Sequence, residues 1–127
     1  YAHRELTIVH TAETELLAAV DPNDLDEMVA NLVDNACKWA RGVVSIKATR
    51  DTPTGQLLIT IVDDGPGIPA DALNRAFAPG ERLDEAKPGS GLGLAIVRDL
   101  ATLHGGSVEL SNGRNGGLHA ELRLPSA

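Results

Sequence analysis

Aromatic residues and cysteine are scarce in this chain: its 127 residues include one Trp, one Tyr, one Phe and one Cys. The single cysteine, Cys37, excludes an internal disulfide and a cysteine-based zinc site, and it suits a reducing compartment such as the cytoplasm. So few aromatic side chains also argue against a platform on which the bases of single-stranded nucleic acid would stack.

Runs of basic residues and long apolar runs are absent as well. Lys and Arg total 11 against 18 Asp and Glu, a formal net charge of -7, and this balance argues against nucleic acid as a ligand. An anionic ligand would need local help from a metal ion or a helix dipole. No apolar segment approaches the roughly 20 residues needed to cross a bilayer, and the N-terminus carries no basic segment followed by an apolar one. We therefore expect the chain as given to be soluble.

The length and the 43% hydrophobic content suit one domain over residues 1–127. The first residue is Tyr1 rather than Met, which suggests a piece of a longer protein. Apolar periodicity and turn residues predict strands at 5–9, 16–20, 43–49, 57–62, 107–110 and 119–124. The same criteria predict helices at 25–40, 70–76 and 94–103, the last of which stops at a Gly-Gly pair. Because strict βαβ alternation is missing, we expect an α+β fold: a two-layer α/β sandwich of a mixed, mostly antiparallel sheet with helices on one face.

The first long helix carries a stripe of polar residues. At about 100° per residue, Glu27, Asn31, Asn35 and Lys38 fall within roughly an 80° arc. Amide oxygens coordinate hard cations such as Mg²⁺, an amine neutralises phosphate, and a carboxylate orients or deprotonates a nucleophile. An alternative is an ordinary solvated helix face, with Glu27 as the capping-box partner of Asp24.

Two glycine motifs follow the stripe. Asp-Asp-Gly-Pro-Gly at 63–67 comes directly after an apolar strand, where a carboxylate can accept a hydrogen bond from an exocyclic amine such as that of adenine. Gly-Ser-Gly-Leu-Gly at 89–93 leads into a helix, whose free amide groups and dipole favour phosphate. The alternatives are an ordinary Asp/Gly turn and a flexible loop that feeds a helix.

Taken in order and spacing, the three motifs resemble the N, G1 and G2 boxes of bacterial sensor histidine kinases. The resemblance runs from about residue 6 to 124, and Asn-Ala-Cys-Lys at 35–38 and Gly-Glu-Arg-Leu-Asp at 80–84 are most similar to the PhoQ branch. It implies the Bergerat ATP-binding fold, shared with Hsp90-type chaperones, gyrase B subunits and MutL proteins, and it implies ATP and Mg²⁺ as ligands.

The resemblance also implies roles for single residues of the stripe and the first glycine motif. Asp63 would bind the adenine amino group, and Trp39 would lie against adenine, although a lone Trp equally suits a core position. Asn31 would coordinate Mg²⁺, while Asn35 and Lys38 would contact phosphates or the metal.

Other implied roles concern catalysis and the ATP lid. Glu27 would match the acidic residue credited with general-base or polarising work, with Lys38 as the second catalytic residue. Phe77 would match the family's F box, so residues 77–90, which lack a sustained period, would form a mobile lid. Arg82 and Lys87 would reach the phosphates from it, and Ser90 would complete the metal shell. Further nucleotide contacts are expected from Gly65, Gly67, Ile68, Gly89, Gly91, Leu92, Gly93 and Leu94.

None of His3, His10, His104 and His119 has the setting of a phosphoacceptor histidine. We expect the fragment to be monomeric. The resemblance implies that it binds ATP and ADP and phosphorylates a histidine-bearing dimerisation domain of the same or a sister chain, with a response regulator downstream. The parent would be an inner-membrane sensor with this domain in the cytoplasm. Alternatives are an ATPase clamp of the chaperone or mismatch-repair type, an anti-sigma-like protein serine kinase, and a degenerate nucleotide-binding module.

Overall fold

The computed structural model describes residues 7–12 by their backbone, and residues 19–51, 53–73, 76–77, 93–113 and 116–126 in full. In chain order the strands are β1 (Thr7–Ala12), β2 (Val43–Asp51), β3 (Gln56–Asp63), β4 (Ser107–Asn112) and β5 (Leu118–Leu124). The helices are α1 (Pro22–Trp39), α2 (Ala70–Leu73) and α3 (Gly93–Leu103).

The strands form one sheet in the order β1-β2-β3-β5-β4. β1 is parallel to β2, and the other three pairs are antiparallel. Residues of β3 and β5 alternate between buried and half-buried, and the buried ones face each other in pairs such as Ile61 and Ala120. α1 and α3 pack on this buried face, so the predicted α+β sandwich with a mixed, mostly antiparallel sheet is confirmed.

α1 begins at a strong cap. The side chain of Asp21 accepts hydrogen bonds from the amides of Asn23 and Asp24 at 2.8 and 3.3 Å, and Pro22 fills the first helical position. The helix thus starts three residues before the predicted position 25. Asp24 lies inside the first turn rather than at the cap, so the capping-box interpretation of Glu27 is wrong.

α3 ends as its glycines predict. Gly105 has a φ of 78°, and the amide of Gly106 donates to the carbonyl of Ala101 at 2.8 Å, which is a Schellman motif. Just beyond α3, His104 Nε2 lies 2.7 Å from Asp24 Oδ2 and joins the end of α3 to the first turn of α1. No helix in the described part of the chain is long and apolar enough to span a membrane.

Two further predicted elements differ from the structure, in addition to the start of α1. Residues 16–18 of the predicted strand 16–20 lie outside the described residues, and Ala19 and Val20 form a bend in which the Ala19 amide donates to the Pro125 carbonyl at 2.8 Å. The predicted helix at 70–76 ends at Leu73, and Ala76 lies in a turn. The hairpin between β2 and β3 is confirmed, with Gly55 at a φ of 72° in its turn.

Candidate nucleotide-binding site

The last residue of β3, Asp63, is a buried carboxylate of which only one oxygen accepts hydrogen bonds from the described residues. Its Oδ1 accepts hydrogen bonds from the amides of Gly65 and Leu118 at 2.8 and 3.3 Å. Its Oδ2 is also buried, and no described residue donates to it. Burial raises the pKa of Asp63 above its ordinary value, against the lowering effect of the two backbone hydrogen bonds. An unpaired buried acceptor costs about 1–3 kcal/mol, so Oδ2 is a place where a ligand donor would be stabilised.

The neighbouring carboxylate, Asp64, has the opposite environment. It is exposed, its Oδ1 accepts from the amides of Arg41 and Gly42 at 2.7 and 3.0 Å, and its Oδ2 accepts from Gly42 at 3.2 Å. The Gly42 hydrogen bond is the largest cause of the lowered pKa of Asp64. This side chain therefore ties the end of β3 to the turn after α1, which leaves Asp63 as the carboxylate available to a ligand.

The first glycine motif passes very close to the end of α1. A Cβ added at Gly65 would lie 2.2 Å from the carbonyl oxygen of Trp39, so only glycine fits at this position. Trp39 is half-buried at the last position of α1. The predicted base-flanking Trp39 and the predicted base-binding Asp63 are therefore brought to the same end of the sheet.

The polar stripe of α1 meets the start of α3. Asn31 Nδ2 donates to the carbonyl of Glu27 at 2.9 Å, which leaves the amide oxygen on the other side. A Cβ added at Gly93 would lie 3.0 Å from that oxygen, so Asn31 Oδ1 faces the first residue of α3. An amide oxygen beside a helix N-terminus combines a ligand for a hard cation with a site that favours phosphate.

The rest of the stripe lies along α1 on both sides of Asn31. Glu27 is exposed, and Asn35 and Lys38 are half-buried. Lys38 Nζ lies 3.8 Å from Asp34 Oδ2, one helical turn away, in a pair between a half-buried lysine and an exposed carboxylate. Such pairs contribute only about 0.3–0.5 kcal/mol, so the ammonium group can leave this partner for a phosphate.

Two predicted contact residues are part of the core. Ile68 is 3% exposed and packs with Ala72 and Leu118, while Leu94 is 7% exposed and belongs to the main core. Their side chains are buried among other core residues, so only their backbone atoms are left for a ligand. The predicted site residues Arg82, Lys87, Gly89, Ser90, Gly91 and Leu92 lie outside the described residues.

One residue of this region has no local signal in the sequence. Asn112, the last residue of β4, accepts a hydrogen bond from the amide of Ile68 at 2.9 Å and donates to its carbonyl at 2.6 Å. The two residues are 44 positions apart. No spacing or period connects them, so the sequence pattern does not predict the pair.

Asn31 supplies an oxygen donor of the kind that a hard metal ion prefers. In the described ranges, no three His, Cys, Asp or Glu side chains are grouped as metal ligands. The hard oxygen donor at the junction of α1 and α3 is instead the amide of Asn31. Phosphate oxygens would complete such a shell, as is usual for Mg²⁺.

Comparison with known proteins agrees with this geometry. Residues 20–127 match the family of histidine kinase-, DNA gyrase B- and HSP90-like ATPases, and the chain belongs to this family. The sensor protein kinase CarS of Pseudomonas aeruginosa is 43% identical over 105 residues, which cover 83% of this chain and 23% of CarS. The virulence sensor histidine kinase PhoQ of Salmonella typhimurium is 34% identical over 122 residues, 96% of this chain and 25% of PhoQ.

Solved structures give the same family. The mycobacterial sensor histidine kinase MprB superposes with a TM-score of 0.83 at 30% identity, over 95% of this chain and 84% of that one. Full-length ShkA, solved in complex with AMPPNP, has a TM-score of 0.81 at 29% identity, over 96% of this chain and 26% of ShkA. The predicted membership of the sensor histidine kinase group is confirmed. The chain spans about a quarter of the length of the curated relatives it matches.

Proposed function

We propose that residues 1–127 bind Mg-ATP and supply its γ-phosphate for the autophosphorylation of a histidine on a separate dimerisation domain, the first step of two-component signalling. The observation that carries this proposal is the buried Oδ2 of Asp63, which accepts no hydrogen bond from any described residue. The names of the relatives, CarS and PhoQ among them, favour a histidine kinase over an ATPase clamp or a serine kinase.

Adenine specificity follows from the chemistry of Asp63. A carboxylate oxygen accepts a hydrogen bond from the exocyclic amino group of adenine. Guanine carries a carbonyl oxygen at that ring position, so two acceptors would face each other and GTP would bind much more weakly than ATP. Trp39 would cover the base from the end of α1.

The phosphate end lies along the stripe of α1 and the start of α3. Asn31 would hold Mg²⁺ together with Asn35 and Ser90, and the ion would neutralise phosphate charge. Lys38 would contact a phosphate, as would Arg82 and Lys87 from the lid. Transfer of this kind depends mainly on positioning and charge neutralisation.

Glu27 would orient or polarise the attacking histidine nitrogen of the dimerisation domain, which is contributed by the same or a sister chain. We further propose that the fragment itself is monomeric, that ADP leaves after transfer, and that a response regulator receives the phosphate. The parent would be an inner-membrane sensor with this domain on the cytoplasmic side.

The test is phosphotransfer from ATP labelled at the γ-phosphate to a polypeptide that joins this domain to its histidine-bearing dimerisation domain. We expect label that is labile in acid and stable in base, the behaviour of phosphohistidine. Glu27→Gln should keep ATP affinity and slow transfer by roughly 100-fold or more. The matched control is Asp26→Asn, because Asp26 is an equally exposed acid one position away.

Three results would contradict this proposal. Acid-stable label on a partner serine would favour a protein serine kinase. ATP hydrolysis coupled to dimer closure, without labelled histidine, would favour an ATPase clamp. Bound ATP without any transfer or hydrolysis would favour a degenerate module.

A further inference from the structure

The facing ends of β4 and β5, together with Gly116 and Gly117, lie against the segment 63–68. Asn112 and Leu118 face each other across the β4–β5 pair. The Asn112 amide holds the amide and carbonyl of Ile68, and the Leu118 amide donates to Asp63 Oδ1. The cross-strand pair Asn112 and Leu118 is therefore hydrogen-bonded to both ends of the segment 63–68.

No room for a side chain remains where Gly67 and Gly117 approach the opposite backbone. A Cβ added at Gly67, whose φ is 79°, would lie 2.5 Å from Asn112 Oδ1 and 2.3 Å from the carbonyl oxygen of Gly116. A Cβ added at Gly117 would lie 1.8 Å from the carbonyl oxygen of Asp63. Because the backbones of Gly116 and Gly117 contact those of Gly67 and Asp63 directly, a movement of these two glycines would displace the segment that contains Asp63.

We propose that Asn112 is a positioning residue for adenine recognition: it fixes the segment 63–68 so that Asp63 Oδ2 is directed at the base. This inference rests on the proposed function. Asn112 is suited to the task because an amide both accepts and donates, and the backbone of Ile68 offers one donor and one acceptor. A carboxylate or an alkyl side chain would satisfy at most half of that pair.

A purely structural role would lower stability and weaken every nucleotide alike. Action through Asp63 predicts a narrower effect: a loss of affinity confined to nucleotides whose base carries an amino group at the ring position where adenine carries it. Inosine triphosphate is the discriminating probe, since it carries a carbonyl oxygen where ATP carries the amino group. The ratio of the two affinities therefore measures the contact of Asp63 with the base.

The experiment is calorimetric titration of the folded domain with ATP and with inosine triphosphate, for the native chain, Asn112→Ala and Asn112→Asp. Asn112→Asp keeps the shape and the acceptor but places an oxygen against the Ile68 carbonyl, so it separates hydrogen bonding from packing. Both variants should weaken ATP by about tenfold, the effect of losing roughly 1.4 kcal/mol, and weaken inosine triphosphate less than about threefold. Ser111→Ala, an exposed neighbour on the same strand, is the matched control and should change neither affinity.

A second arm tests the route of the effect. In an Asp63→Asn background, Asn112→Ala should cause no further loss of ATP affinity, because the contact on which Asn112 acts is already gone. Equal weakening of both nucleotides, an additive loss in the double variant, or a lower unfolding temperature with unchanged affinities would overturn the proposal. If the native chain itself binds both nucleotides equally, the adenine contact of the proposed function fails and this inference fails with it.

Discussion

Replacing Asp63 by asparagine should separate nucleotide binding from stability. A carboxylate has two acceptor oxygens and an amide has one. Because Oδ1 already accepts from Gly65 and Leu118, the amide oxygen of the substituted side chain must stay there, and its NH₂ group takes the place of Oδ2. The amino group of adenine would then meet a donor.

The size of the binding loss follows from the lost hydrogen bond. Hydrogen bonds to charged groups contribute about 1.5–3 kcal/mol, so ATP affinity should fall roughly 10- to 150-fold at about 1.4 kcal/mol per tenfold. A reversed amide would restore the ligand's acceptor but set NH₂ against the two backbone donors. Neither orientation recovers the native affinity.

Although Asp63→Asn should weaken ATP binding, it should raise the stability of the nucleotide-free domain. Burial raises the pKa of Asp63 above its ordinary value of 3.8, so the unfolded chain ionises at lower pH than the folded one. Native stability therefore falls as the pH rises from the unfolded pKa to the folded pKa, and it stays lower above that window. The amide of asparagine does not titrate, so Asp63→Asn should gain stability relative to the native chain across this window.

Calorimetric titration with ATP and thermal unfolding at several pH values without nucleotide test both parts. Asp64→Asn is the matched control, because the pKa of Asp64 is shifted in the opposite direction and the substitution should therefore lower stability. The pKa of Asp64 is lowered in the folded state, first by the Gly42 hydrogen bond, so its carboxylate stabilises the fold above the unfolded pKa and this contribution is lost as the pH falls. ATP affinity retained within about threefold in Asp63→Asn (a difference under about 0.7 kcal/mol), or lost equally in Asp64→Asn, would refute the reasoning.

Other substitutions test the contacts around the site. Gly65→Ala places a Cβ 2.2 Å from the carbonyl at the end of α1, so we expect a stability loss of about 1–3 kcal/mol in thermal unfolding; an unchanged unfolding temperature would contradict the close approach. Gly93→Ala places a Cβ 3.0 Å from Asn31 Oδ1, and should reduce the gain in ATP affinity on adding Mg²⁺ while the domain stays folded; an unchanged gain would remove Asn31 from the metal site. His104→Ala removes the hydrogen bond to Asp24, which should cost about 1 kcal/mol and roughly 3–6 °C with ATP affinity unchanged; a large affinity loss would show that this pair also positions the site.

Much of the fold follows from local signals in the sequence. The apolar residues of α1 recur at three and four, those of β3 and β5 alternate, and Gly105 with Gly106 marks the end of α3. The pattern is ambiguous where two local signals compete. Asp21 and Asp24 are both suitable caps for α1, and only the hydrogen bonds of the Asp21 side chain decide between them.

The site is predicted by its motifs but not by its long-range contacts. The sequence predicts that a carboxylate follows β3, but the different environments of Asp63 and Asp64 come from distant amides. Asp64 is paired with residues 22 and 23 positions away, and Asn112 with a residue 44 positions away. Contacts of this kind depend on how the sheet brings strand ends together, and no local pattern encodes them.

Asp63 Oδ2 is proposed to accept a hydrogen bond from the adenine of a metal-bound nucleotide. Calorimetric titration of this domain with ATP and then GTP, each with and without Mg²⁺, tests it most directly. We predict binding of ATP that Mg²⁺ strengthens, and much weaker binding of GTP. Equal affinity for the two nucleotides, or binding of neither, would contradict the account.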